Sequence, residues 1–107
     1  MDGKTTLKYL QNYIKAKDFK PELKTDYFFK LSEEVGELAK AMRKGIVYEE
    51  NGNIKGTIDE ELWDVIYYAL AIANCYDIDM ESTIKIKEEI NNKKYNTGIE
   101  FEEKNKS

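Results

Sequence analysis

The sequence predicts an all-α fold, a four-helix bundle. Apolar residues recur at steps of three and four through several long segments, strand-like alternation is scarce, and proline occurs once, at Pro21. A length of 107 residues fits one domain with a thin hydrophobic core.

The first helix spans Thr5 to Lys17, with Leu7, Leu10, Tyr13 and Ile14 on one side. Lys20-Pro21 ends it or opens a connector. The second helix runs from near Asp26 to Arg43. Phe28, Leu31, Val35, Leu38 and Met42 form its apolar stripe, and Arg43-Lys44-Gly45 is a stop signal. Residues 46–56 read as a loop or short hairpin, because Asn51-Gly52 is a strong turn dipeptide and Gly56 adds a second break. Thr57-Ile58-Asp59-Glu60 is a capping box that starts the third helix, which continues to about Tyr76. Its apolar content predicts burial on most sides and a central place in the bundle. Asp79 is the expected N-cap of the fourth helix, which reaches about Tyr95. The domain is therefore expected over residues 1–95, with 96–107 as a polar, flexible tail.

Hydrophobic residues are 41% and charged residues 36% of the chain. No apolar run approaches the ~20 residues of a spanning helix, and Met1-Asp2-Gly3-Lys4 lacks the apolar core of a signal peptide. The expected setting is cytoplasmic, without membrane contact. Cys75 is the single cysteine and reads as a small buried hydrophobe. Histidine is absent, which excludes Ser-His-Asp and Cys-His catalysis and His-ligated zinc or di-iron sites. A net charge of -4 without a broad basic surface argues against binding duplex nucleic acid.

Two carboxylate clusters carry the functional signal: Glu33-Glu34-Val35-Gly36-Glu37 and Glu60-Glu61-Leu62-Trp63-Asp64. Each holds a pair at i, i+3, Glu34 with Glu37 and Glu61 with Asp64, and such pairs share one helix face. Acidic residues on helices are usually solvated, but these lie beside apolar stripes, where a charge needs a partner. The lysines lie mostly in the first and fourth helices, so a hard cation such as Mg²⁺ or Mn²⁺ is the simplest neutraliser. Gly36 inside a helix costs roughly 1 kcal/mol relative to alanine, which close approach of a neighbouring helix or ligand would offset. Glu60 already has a capping role, and Glu33 is a further ligand, a supporting group or a base. On the fourth helix, Lys87, Asn91 and Lys94 share a face suited to phosphate oxygens.

These motifs resemble the all-α MazG-type nucleoside triphosphate pyrophosphohydrolases. The family pattern E-E-x-x-E followed by E-x-x-D reads here as Glu33-Glu34-Val35-Gly36-Glu37 and Glu61-Leu62-Trp63-Asp64, and K-x-x-x-N-x-x-[KR]-Y as Lys87, Asn91, Lys94 and Tyr95. Trp63 replaces a residue that is often glycine, and Lys94 an arginine. The resemblance implies Mg²⁺-dependent hydrolysis of a (d)NTP to (d)NMP and pyrophosphate. It implies metal binding by Glu34, Glu37, Glu61 and Asp64, with Glu33, Glu34 or Glu37 accepting a proton. Substrate contacts are implied for Lys87, Asn91, Lys94 and Tyr68, and a homodimer or homotetramer for the assembly. An aromatic-rich chain of this length has more apolar surface than one thin bundle hides, which also predicts a homo-oligomer. The competing readings are a non-catalytic helical interaction module and a phosphoribosyl-ATP pyrophosphohydrolase.

Overall fold

The computed structural model describes residues 5–101, and every regular element among them is helical. Thr6 caps α1 (Leu7–Lys17) by accepting the Tyr9 N–H at 3.0 Å. A 3₁₀ turn at Pro21–Leu23 forms the expected connector, with proline at its start where no N–H is needed. Helix α2 (Lys24–Lys44) ends where Gly45 adopts the left-handed conformation, φ 70°, and returns its N–H to Ala41.

The segment expected as a loop or hairpin contains a four-residue helix, α3 (Tyr48–Asn51). Asn51-Gly52 stops this helix instead of turning a hairpin, because Gly52 supplies the left-handed C-cap at φ 75°. Thr57 then starts α4 (Ile58–Cys75), its hydroxyl accepting the Glu60 N–H at 3.2 Å. The return arm of the box is shifted by one residue: Glu60 accepts the Gly56 N–H at 2.8 Å. Asp79 caps α5 (Met80–Lys94) through the Glu81 N–H.

The main packing is α2 against α4, with α1 also seated on α4. Ile14, Tyr27, Leu70 and Ala71, from these three helices, form the buried cluster. Tyr27 donates its hydroxyl hydrogen to Asp18 at 2.8 Å and accepts the Lys20 N–H. Burial, then the Asp18 bond, push the Tyr27 phenol up to about 12. The buried side chain of Gln11 donates to Asn74 and to the Ile78 carbonyl and accepts the Met80 N–H. This fully paired amide ties α1 to the turn between α4 and α5. Cys75 is half-buried against the core, and burial raises its thiol pKa.

Two expectations about packing need correction for the single chain. Helix α4 is central, but it is not buried on most sides: Leu62, Trp63 and Ile66 are exposed. The α2 stripe likewise leaves Phe28, Val35 and Met42 in solvent, and the buried residues of α2 are Tyr27 and Ala41. The physical reason is geometry: α5 rests on α1 instead of closing over α2 and α4 as the fourth wall of a bundle. The radius of gyration, 16.4 Å, exceeds the ~13 Å of a compact domain this long.

Of the tail expected to be flexible, residues 96–101 turn back along α5, and the Thr97 N–H reaches the Asn92 carbonyl at 3.1 Å. Residues 102–107, like the N-terminal segment 1–4, lie outside the described residues. Among the described residues no helix is long and apolar enough to cross a membrane.

Candidate metal centre

Antiparallel packing of α2 on α4 sets the two acidic motifs opposite each other. Gly45 ends α2, and the Ile58 N–H bonds back to the Ile46 carbonyl at 2.9 Å. The Tyr48 N–H bonds to Asp59 at 2.6 Å. These bonds return the chain so that α4 runs down the face that α2 climbed. The small buried Ala41 lets the helices approach near this end.

One carboxylate oxygen each from Glu34, Glu61 and Asp64 lie within 4.8 Å of one another, and all three residues are half-buried. The Oε1 atom of Glu61 is buried and receives no hydrogen bond. Burial, then a hydrogen bond with the Glu34 carboxyl and the Glu34, Asp64 and Glu60 charges, push the Glu61 carboxyl up to about 7. Burial and Glu60 raise Asp64, partly opposed by Lys55. Three clustered acids and an orphaned buried oxygen are a donor set for a hard cation.

The carboxylates expected at the site are placed differently. Glu37 lies outside the trio but lines the adjoining groove, of about 270 Å³, with Glu60 and Glu61. Glu33 is exposed and pairs with Lys30 at 3.7 Å. Tyr68, one turn beyond Asp64, packs on the core against Tyr67 and Tyr27, with ring centroids 5.1 and 6.5 Å away.

Lys87, Asn91 and Lys94 stand on α5 and do not line the groove. Asn91 bonds weakly to Glu88 at 3.5 Å, and Lys94 lies over the Tyr95 ring. A Cβ built at Gly36 would meet nothing within 4 Å, so no part of the described chain closes on it. The groove also holds lysines that sequence reasoning missed: Lys40, Lys44 and Lys55. The i, i+3 and i+7 spacing from Glu37 to Lys40 and Lys44 was a readable signal for the first two. Lys55 was not readable, because a loop delivers it.

The raised Glu61 value predicts a pH signature. Between its ordinary value near 4.5 and about 7, the metal-free folded chain binds a proton that the unfolded chain has lost. The Glu61 contribution therefore destabilises the fold as pH rises across that window and is constant above it. The Tm of the parent relative to Glu61→Gln should fall from pH 4.5 to 7.5, measured in chelator. Saturating Mg²⁺ should remove that fall, since a cation favours the ionised acid. A Tm difference independent of pH would contradict the raised value.

A profile of the MazG nucleotide pyrophosphohydrolase domain matches residues 24–97. The N-terminally tagged iMazG crystal structure from Vibrio DAT 722 is 45% identical, with a TM-score of 0.75 over 86% of this chain and 99% of that one. The C-terminally tagged iMazG from the same organism is 44% identical, with a TM-score of 0.73 over 81% of this chain and 98% of that one. Comparison with curated proteins returned no match. Matching profile, matching structures and facing acidic motifs agree, and the chain belongs to the MazG nucleotide pyrophosphohydrolase family.

Proposed function

We propose that this protein hydrolyses a (d)NTP to (d)NMP and pyrophosphate with Mg²⁺, or Mn²⁺ in its place, and removes unwanted nucleotides from the cytoplasmic pool. The observation that carries the reading is the half-buried trio Glu34, Glu61 and Asp64 with its orphaned oxygen, in a chain of this family. These three residues hold the cation. When bound, Mg²⁺ neutralises phosphate oxygens and lowers the pKa of the attacking water.

Glu37, expected as a fourth ligand, lines the groove beside the trio, and we assign its carboxylate the role of proton acceptor. Glu33 faces solvent with Lys30 and supports the motif from outside. Tyr68 sits one turn from Asp64, where its ring can bound the nucleoside side of the site. The homo-oligomer belongs to the proposal. Exposed Leu62, Trp63, Ile66 and Val35 supply an apolar face for a second copy. Such an assembly is also the route by which Lys87, Asn91 and Lys94 would reach substrate, because they do not line the groove of their own chain.

The test is pyrophosphate release from a panel of (d)NTPs and phosphoribosyl-ATP, with and without Mg²⁺. Metal-dependent release from at least one nucleoside triphosphate is expected. Release from phosphoribosyl-ATP alone would reassign the substrate. No release from any member, with no Mg²⁺ effect on Tm, would leave the helical interaction module.

A further inference from the structure

The groove beside the trio changes sign along its length. Glu37, Glu60 and Glu61 line it together with Lys40 and Lys44 of α2 and Lys55 of the loop before α4, and the α2 lysines lie beyond the acids toward the C-terminal end of that helix. Lys40 and Lys44 are six and ten residues beyond Glu34, about 9 and 15 Å along the helix at 1.5 Å per residue. Neither makes an ion pair among the described residues. Lys55 makes a loose one with Glu60, 3.9 Å, while 86% of its side chain stays exposed. Glu60 also holds the loop by accepting the Gly56 N–H, so Lys55 is carried at the groove rim by a tethered backbone.

Around Asp64 and one turn beyond it, α4 carries aromatic side chains. Trp63 meets Tyr67 edge to face at 5.9 Å, Tyr67 meets Tyr68 at 5.1 Å, and Lys17 stands 5.6 Å over the Tyr67 ring. At about 270 Å³ the groove is below the range of sites for drug-sized ligands and suits a phosphate chain better than a nucleoside.

We propose that Lys40, Lys44 and Lys55 form the pyrophosphate subsite, so that substrate lies with its β- and γ-phosphates toward the C-terminal end of α2 and its nucleoside toward Tyr67 and Tyr68. The inference rests on the nucleotide hydrolysis proposed above and adds the direction of the substrate. It adds to the contacts proposed for α5 a set of lysines that each chain carries at its own groove. A highly charged chain released from the trio would then leave past three ammonium groups, of which Lys55 alone is ion-paired among the described residues.

The experiment uses Mg²⁺ and inorganic pyrophosphate as the probe. Calorimetric binding to the parent should be weakened about tenfold or more in Lys44→Met and in Lys55→Met, while nucleoside monophosphate binding stays within twofold. In the unsubstituted protein, Mg²⁺ with pyrophosphate should protect Lys40, Lys44 and Lys55 from acetylation, read by mass spectrometry, and the monophosphate should not. This second readout holds even if a variant folds poorly.

Active enzyme whose three lysines stay equally reactive, with variants that bind pyrophosphate as the parent does, would overturn the subsite and leave the proposed reaction standing. Protected lysines in a protein that hydrolyses no nucleotide would keep the subsite and remove the reaction. Neither pyrophosphate binding nor hydrolysis would remove both.

Discussion

Asp64→Asn and Glu61→Gln are each expected to lower Mg²⁺-dependent pyrophosphate release by about 10³-fold or more, equivalent to roughly 4 kcal/mol of transition-state stabilisation. Each change removes one of three carboxylates whose oxygens lie within 4.8 Å of each other and leaves two to hold the cation. The same substitutions should not weaken the metal-free fold. Glu61 carries a buried oxygen with no hydrogen-bond donor, and Glu34 and Asp64 repel it. An amide removes that charge and offers an N–H to the neighbouring carboxylates. Without metal, Glu61→Gln should therefore melt above the parent at pH 8, while the parent alone should gain markedly on adding Mg²⁺. Kinetics and melting curves from the same preparations decide the matter. A variant that loses both activity and metal-free stability would mark Glu61 as a structural acid, and full activity in both variants would remove the trio from the reaction.

Ile14→Ala should have the largest effect on stability, a loss of about 3–4 kcal/mol. Ile14 is fully buried and joins α1 to Tyr27 of α2 and to Leu70 and Ala71 of α4. Truncation would leave a cavity in the cluster to which α1, α2 and α4 all contribute, and the Tyr27–Asp18 hydrogen bond holds one of its walls. Against a total of roughly 5–15 kcal/mol for a domain, that loss consumes much of the margin. The contrast is Ile86→Ala on α5, 61% exposed, which should cost within about 0.5 kcal/mol in a single chain. Urea unfolding with a fixed m-value measures both. A small loss at Ile14 would show that α1 is not integral to the core, and a large loss at Ile86 would place it in a subunit contact.

Sequence alone determined the helices wherever local chemistry decides. Thr57 with Glu60, Asp79 with Glu81, and Gly45 after Arg43-Lys44 specify starts and stops through bonds between near neighbours, and each is present in the fold. The i, i+3 acidic pairs were legible for the same reason: helical periodicity puts them on one face whatever the tertiary fold. Asn51-Gly52 failed as a hairpin signal because a left-handed glycine serves a helix C-cap as well as a turn, and no strands flank it.

Tertiary structure alone decided which acids meet. Antiparallel docking of α2 on α4 brings Glu34 to Glu61 and Asp64, leaves Glu37 along the groove and turns Glu33 to solvent beside Lys30. It also decided where the positive charge sits. Lys55, twenty-one residues from Glu34 in the chain, reaches the groove only because a loop tethered by Glu60 carries it there. Periodicity fixes the angle of a side chain around its own helix axis; the register of one helix against another depends on contacts between distant residues, and no local pattern encodes it.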